Sequence, residues 1–299
     1  MSILDRVVAS SLPFVPKPLV GYFARPYIAG ETLDDQVRVL RSLNAEGFMA
    51  ATGILGEFIE HREEAERAVT DYQNALLRIE RDKLDSNIHV KLSLLGLKID
   101  KEFCYQNVRR LVASAREHAN FVRIDMEDSS CTDDTLEIFL RLRQEFVNVG
   151  AVLQACMKRS PDDANKLAQV KANIRVCKGI YIEPPEIAHR DREAIRSSFV
   201  SLVEKLLAAG CYVGIATHDE KLVTESYRII DRMGLDSSSY EFQMLLGVTP
   251  GLRRRIRDAG HRLRVAVPFG PAWYPYSLRR FRENPSIAGY VFKAIFQSG

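Results

Sequence analysis

Charged and amide side chains stand at or near the ends of short apolar runs throughout this sequence: Glu57, Lys91, Asp125 with Glu127 and Asp128, Gln154, Arg175 with Lys178, Thr217-His218-Asp219, and Gln243. Singly, each reads as an ion pair or a cap, and Asp128 has the position to cap the helix that follows its run. Together they bring both signs of charge and several hydrogen-bond donors to one relative place, and charged groups are rarely buried without a partner or a task. Lys91 and Arg175 carry the most weight, because each falls inside an apolar run and not after it.

A second group lies in Trp273-Tyr274-Pro275-Tyr276-Ser277-Leu278-Arg279-Arg280-Phe281-Arg282-Glu283-Asn284-Pro285. Helical spacing sets Tyr276 beside Arg280 and Arg279 beside Glu283. Two neighbouring arginines, oriented by an acid and roofed by a tyrosine, make a clamp for a small carboxylate. Adjacent helical residues diverge by about 100°, so both reach one ligand only if this helix lies across the site instead of on its flank. A basic surface helix closed by Pro285 is the competing reading.

Several chemistries lack their residues. There is no HExxH or other tight cluster of His and carboxylate, and Thr217-His218-Asp219 alone is a poor metal site because adjacent strand residues point to opposite faces; no metal is expected. No GxSxG elbow supports acyl transfer. No GxGxxG or P-loop follows any run, so a bound dinucleotide would lie on a barrel mouth and not on a Rossmann turn.

The elements that must position these groups are eight apolar runs: Gly47 to Leu55, His89 to Leu95, Phe121 to Met126, Val149 to Met157, Ile174 to Ile182, Tyr212 to Thr217, Tyr240 to Leu246 and Leu263 to Phe269. They are rich in Val, Ile, Leu and aromatics without strict alternation, as parallel strands covered on both faces are. Between them, apolar residues recur three and four apart, as in Ala65, Val69, Tyr72, Leu76 and Ile79, or Ile195, Phe199, Leu202 and Leu206. These predict amphipathic helices. Ser160-Pro161-Asp162-Asp163 supplies an N-cap, a first-turn proline and first-turn acid, while Gly210, Gly234 and Gly260 follow helical runs. Eight such units predict an α/β chain folded as a (βα)8 TIM barrel, typically about 250 residues with catalytic groups at the strand C-termini. A doubly wound open sheet is the rival. Residues 1–30, with Pro13, Pro16, Pro18 and Pro26, read as an N-terminal helical or irregular arm and not a cleaved signal; residues 31–299 read as one domain.

Composition fits a globular chain: 46% apolar, 27% charged, net charge +3 over 299 residues. That charge is too small and dispersed for nucleic acid. The one basic cluster, Arg253, Arg254, Arg255 and Arg257, reads as a solvated helix face. No stretch approaches the roughly 18 apolar residues of a membrane span. Cys104, Cys131, Cys156, Cys177 and Cys211 show no CxxC spacing and read as reduced packing residues of a cytoplasmic protein.

Read in order, Leu55-Gly56-Glu57, His89-Val90-Lys91, Arg123-Ile124-Asp125-Met126-Glu127-Asp128, Val152-Leu153-Gln154-Ala155, Arg175-Val176-Cys177-Lys178-Gly179, Ala216-Thr217-His218-Asp219, Glu241-Phe242-Gln243-Met244-Leu245 and Arg279-Arg280 with Glu283-Asn284 make eight ordered blocks. By these blocks residues 31 to 296 resemble the flavin-dependent proline dehydrogenases of the monofunctional bacterial type. The resemblance implies a distorted TIM barrel with the last helix over its mouth, FAD bound noncovalently, and transfer of a hydride from C5 of L-proline to flavin N5 to give Δ1-pyrroline-5-carboxylate. It implies that electrons pass to a quinone, which brings at least transient contact with the inner face of a membrane. It implies substrate contacts at Lys91, Arg279 and Arg280, helped by Tyr181, Leu245, Tyr276 and Glu283. Arg175 would lie beside flavin N5, with Asp125 supporting the site. Met126, Gln154, Lys178, Gly179, Ile180, Thr217 and His218 would line the flavin.

Some positions depart from that family's pattern. Gly53-Ile54 stands where the family has an Asp before its LGE, Cys156 where it has a tyrosine, and Ile180 where it has an alanine. The family's final-strand tyrosine, a wall of the proline pocket, is Ala266 here. A larger pocket opens a second reading, dehydrogenation of another cyclic amino acid such as hydroxyproline or pipecolate. Further alternatives are a flavin-binding module without turnover, and a lyase forming a Schiff base on Lys91 or Lys178.

Overall fold

The structure is a computed structural model that describes residues 17–274 and 276–278. Its centre is a closed barrel in which β1 (Met49–Ile54), β2 (Ser86–Val90), β3 (Val122–Ile124), β4 (Val149–Gln154), β5 (Asn173–Cys177), β6 (Tyr212–Ala216), β7 (Tyr240–Leu245) and β8 (Leu263–Phe269) follow one another in chain order. Every pairing is parallel, and β1 closes on β8 in a six-residue register from Met49↔Arg264 to Ile54↔Phe269. The eightfold barrel predicted from the runs is therefore the fold, and the open sheet is not.

Helices cover the outside. After α1 (Lys17–Ala24) come α2 (Leu33–Ala45), α3 (Arg62–Arg81), α4 (Lys101–Glu117), α5 (Ser129–Arg143), α6 (Ser160–Gln169), α7 (Arg192–Ala208), α8 (Glu220–Met233) and α9 (Pro250–Asp258). Their apolar stripes meet the outward-facing strand residues in one continuous core, with Val69, Tyr72 and Leu76 of α3 among its members. Burial of each such side chain stabilises by roughly 1.5–3 kcal/mol. Tyr72 also has a polar task. Its hydroxyl accepts from Ile54 N–H (3.1 Å) and donates to His89 O (2.9 Å), tying the tops of β1 and β2 to one helix.

α2 begins with a reciprocal cap: Thr32 Oγ1 accepts from Asp35 N–H (3.1 Å), and Asp35 Oδ2 accepts from Thr32 N–H (3.1 Å). Thr32→Ala should cost about 1 kcal/mol in equilibrium unfolding, with no change at the barrel mouth.

Three local expectations are corrected. The run His89 to Leu95 is not one strand: β2 begins at Ser86 and ends at Val90, and Leu92–Leu95 forms a 3-10 helix stopped by Gly96 at φ 98°. Lys91 thus follows its strand instead of lying within it. Ser160 does not cap α6, because its hydroxyl donates to Gln154 O (2.6 Å) and Arg159 holds the N-cap position. The basic cluster is not uniformly solvated, since Arg253 is buried and its guanidinium lies 4.9 Å from the centroid of the Phe48 ring.

The lumen is polar. Strand residues two apart share a face, and bonds between non-adjacent strands show which face points in: Arg123 of β3 reaches Asn173 of β5, and Arg175 of β5 reaches Asp125 beyond β3 and Gln243 of β7. Deeper still, Arg264 binds Glu241 (2.8 and 3.1 Å), and Glu241 also accepts from Tyr212 (2.9 Å) and Gln243 (2.6 Å).

Residues 17–30 lie at the C-terminal rim of β1 and β8. Ala29 N–H donates to Pro268 O, Gly270 N–H donates to Gly30 O, and Val20, Ala24, Ile28 and Leu55 cluster with Trp273, Tyr274, Tyr276 and Leu278. Backbone at 273, 274 and 276–278 is helical at this rim. Arg279, Arg280 and Glu283, and with them the expectation of a helix over the mouth, lie outside the described residues.

Candidate active site

The strand ends bring Lys91 and Arg175 to one mouth, each with its own acid. Lys91 Nζ lies 2.5 Å from Glu57 Oε2, and Arg175 Nη1 lies 2.6 Å from Asp125 Oδ1. Arg175 Nε is held by Gln243 Oε1 at 2.5 Å. The guanidinium is therefore fixed on two edges, which leaves Nη2 for a ligand.

Asp125 is itself held from both sides. Its N–H donates to Val90 O (2.8 Å), and its second oxygen lies 2.8 Å from His89 Nδ1. Burial works against its ionisation, but the charges and hydrogen bonds of His89 and Arg175 outweigh that and hold the carboxyl well below the usual range. Sequence reasoning gave His89 no role. The available signal was its position in the same apolar run, two residues before Lys91.

Glu127 is buried and accepts from Ser93 N–H (2.9 Å) and the Ser93 hydroxyl. Burial pushes its carboxyl up against the pull of those bonds. Its carbonyl accepts from Gln154 Nε2 (3.0 Å), which aims the amide of Gln154, while Met126 beside it is buried. Asp128 is the cap its position suggested, accepting from Ser130 N–H (2.9 Å).

Around β5 to β7 the remaining candidates meet. Gly179 has φ 97°, and a Cβ there would sit 2.2 Å from Cys156 Sγ, so bare backbone is required where the chain turns over the mouth. Lys178 lies 3.4 Å from Asp219, whose closer partner is Arg196 (2.9 Å). Tyr181 is half-buried and Ile180 exposed. Thr217 N–H donates to Gln243 O and its hydroxyl accepts from Asp219 N–H (3.1 Å).

His218 has a defined tautomer. Leu245 N–H donates to Nε2 (3.2 Å), so a neutral ring carries its proton on Nδ1, 3.3 Å from Thr249 Oγ1. Burial, with Lys178 nearby, pushes its pKa down from 6.5 to about 4. A histidine whose folded pKa is depressed is protonated first in the unfolded chain, so stability falls as pH drops from about 6.5 to about 4. Urea midpoints measured across that window should decline, and His218→Gln should flatten the decline.

The site thus links His89, Asp125, Arg175 and Gln243 in one hydrogen-bonded arc, with Lys91, paired to Glu57, close enough for its charge to act on Asp125, and joins Thr217, His218 and Leu245 in a second arc that shares Gln243. Tyr276 stands apart at the β1 and β8 rim, packed with Leu55 and Ile28.

Comparison with known proteins assigns the family. Residues 37–292 match the family described as proline dehydrogenase. Proline dehydrogenase 1 of Bacillus subtilis (strain 168) is 33% identical over 274 residues, 92% of this chain and 91% of that protein. Proline dehydrogenase of Deinococcus radiodurans is 32% identical over 279 residues, 92% and 90% of the two chains. Among solved structures, proline utilization A from Bdellovibrio bacteriovorus, inactivated by N-propargylglycine, superposes with a TM-score of 0.82 at 22% identity, over 88% of this chain and 32% of that one. This chain spans about a third of that larger protein, and the likeness speaks for the barrel alone. A family match over most of the chain, with two relatives above 30% identity across nine-tenths of their length, shows that the chain belongs to the proline dehydrogenase family of enzymes.

Proposed function

We propose that this protein oxidises L-proline to Δ1-pyrroline-5-carboxylate with FAD as cofactor, and that residues 31–299 form the catalytic domain with residues 1–30 as an arm. The observation that carries the reading is the pair of cations at one barrel mouth, Lys91 and Arg175, each tied to a separate acid. One cation would serve a substrate carboxylate while the other serves the redox centre.

The residues fit FAD. Its ring heteroatoms and pyrophosphate need donors and a cation, and Gln154, Arg175, Lys178, Thr217 and His218 supply them around the bare backbone of Gly179. FAD supplies the hydride acceptor when bound. The protein supplies orientation: Lys91 would anchor the substrate carboxylate, with Arg279 and Arg280 as further anchors, and so hold the substrate ring in one pose for reaction. Tyr181 and Leu245 would add to the substrate wall, with roles for Tyr276 and Glu283 as the resemblance implies. Arg175, locked by Asp125 and Gln243, presents fixed positive charge where negative charge develops. Met126, Ile180 and the Thr217 to His218 segment shape the cofactor side. Lys91 is ion-paired to Glu57, which suits a carboxylate anchor and not a Schiff-base nucleophile.

A second reading has one observation in its favour. Ala266 faces the lumen in register with Ala51 on one side and Leu245 on the other, and is only half-buried. That leaves space for a substituent on the ring, as in hydroxyproline or pipecolate. Electrons would pass to a quinone at the cytoplasmic face of a membrane, to which the protein would attach peripherally; no helix among the described residues is long and apolar enough to cross one.

Anaerobic addition of L-proline to the purified protein should bleach the flavin spectrum, with trans-4-hydroxy-L-proline and L-pipecolate run alongside. Bleaching only by a bulkier analogue would favour the second reading. A flavin that no cyclic amino acid reduces, or a colourless protein that cannot be loaded with FAD, would refute both.

A further inference from the structure

One imidazole lies beneath the two cations, packed against a glycine. His89 Nδ1 is 2.8 Å from Asp125 Oδ2, and the other ring nitrogen, Nε2, is buried without a hydrogen-bond partner. A Cβ built on Gly53 would stand 2.2 Å from Nε2 and 2.3 Å from the carbon beside it. The ring cannot move away from such a Cβ and keep its bond to Asp125, because Tyr72 fixes the backbone behind it by binding His89 O. Gly53 is therefore matched to the ring.

We propose that His89, seated on Gly53, is a positioning residue that keeps Asp125 on Arg175 and off Lys91. This rests on the functional reading above. An ionised carboxylate only accepts, so the proton between the two groups sits on His89 Nδ1. With Oδ2 bonded to the imidazole and Oδ1 to Arg175, the Asp125 carboxylate is held in orientation on both oxygens, and the acid bonded to Lys91 is Glu57. The ring bonds Asp125, just past β3, and the charged groups that act on that carboxylate besides His89 are Arg175 from β5 and Lys91 from the end of β2. Without the ring, the vacated oxygen is open to Lys91, whose charge already acts on Asp125. The substrate anchor would then be partly neutralised, and Arg175 would lose part of its tether.

The proposal separates His89→Ala from His89→Asn. Asparagine places an amide N–H close to where Nδ1 stands and has no atom near Gly53. His89→Ala should raise KM for proline about tenfold and lower kcat per bound flavin, as loss of a charge-assisted hydrogen bond allows. His89→Asn should restore KM. Gly53→Ala should raise KM in the parent protein yet have no effect in the His89→Asn background, the non-additivity expected of two residues in contact. A purely structural role would instead lower the active fraction and melting temperature with KM unchanged.

A second measurement needs neither turnover nor an intact variant phenotype. In protein labelled with ¹⁵N-histidine, the nitrogen shifts of the His89 ring, assigned by its disappearance in His89→Asn, should show a protonated Nδ1. A ring protonated on Nε2 alone overturns the proposal, as does equal harm from Gly53→Ala in both backgrounds or no rescue by asparagine. If no cyclic amino acid reduces the flavin while the ring carries its proton on Nδ1, the functional reading fails and the placement of Asp125 by His89 stands.

Discussion

Arg175→Leu should lower kcat/KM for proline by on the order of a thousandfold, the loss seen when a fixed charge at a developing charge is removed. The chain should still fold. Asp125 keeps His89 on one oxygen and the charge of Lys91 nearby, and Gln243 keeps its bond to Glu241. Arg175→Lys should recover only part of the loss, since an ammonium cannot meet Asp125 and Gln243 along two edges at once. Steady-state rates with a dye acceptor, set against melting temperature, separate a lost catalytic group from a lost fold: activity should fall far more than stability.

The second large effect lies at the other end of the lumen. Glu241→Ala should destabilise the protein by about 3–5 kcal/mol, because it strands the buried guanidinium of Arg264 without its acid. For a chain of this size that is a fall in melting temperature on the order of 10 °C. Tyr212 and Gln243 lose an acceptor in the same step. Removing both charges, as in Glu241→Leu with Arg264→Met, should restore much of the loss, since an apolar pair carries no unpaired ion. Burial disfavours ionised Glu241, yet the charge and bonds of Arg264 outweigh it and hold the carboxyl down. Its contribution is therefore complete at neutral pH and is lost as pH falls through the acid range.

The barrel was legible because its eight runs are long, apolar and separated by helices with strong three-and-four spacing. β8 occupies its run from Leu263 to Phe269 without correction, and Asp125, just past β3, meets Arg175 within β5 and Gln243 within β7. The errors have physical causes. Leu92, Leu94 and Leu95 are all buried, and a short buried apolar run does not reveal whether its backbone is a strand or a tight helix. Ser160 precedes a proline as a cap would, but the carbonyl of Gln154 is nearer to its hydroxyl than any orphan N–H. The lumen was the hardest part to read. Arg123, Glu241 and Arg264 sit in strands where barrel interiors commonly carry Val, Ile or Leu, and only contacts between strands far apart in sequence explain them. His89 went unread for the same reason: its meaning lies in Gly53 and Asp125, on two other strands.

The closure of β1 on β8 sets a condition on how this protein is made. β1 leaves the ribosome about two hundred residues before its second partner, Arg264 to Phe269. Until then the nascent sheet has two unpaired edges, β1 and β7, held near a half-built interior in which Glu241 lacks Arg264. Such edges are templates for pairing with other chains. Release of a product shortened before β8 would yield aggregate and not a smaller folded unit, so the last strand acts as the checkpoint that converts a sticky ribbon into a self-contained ring.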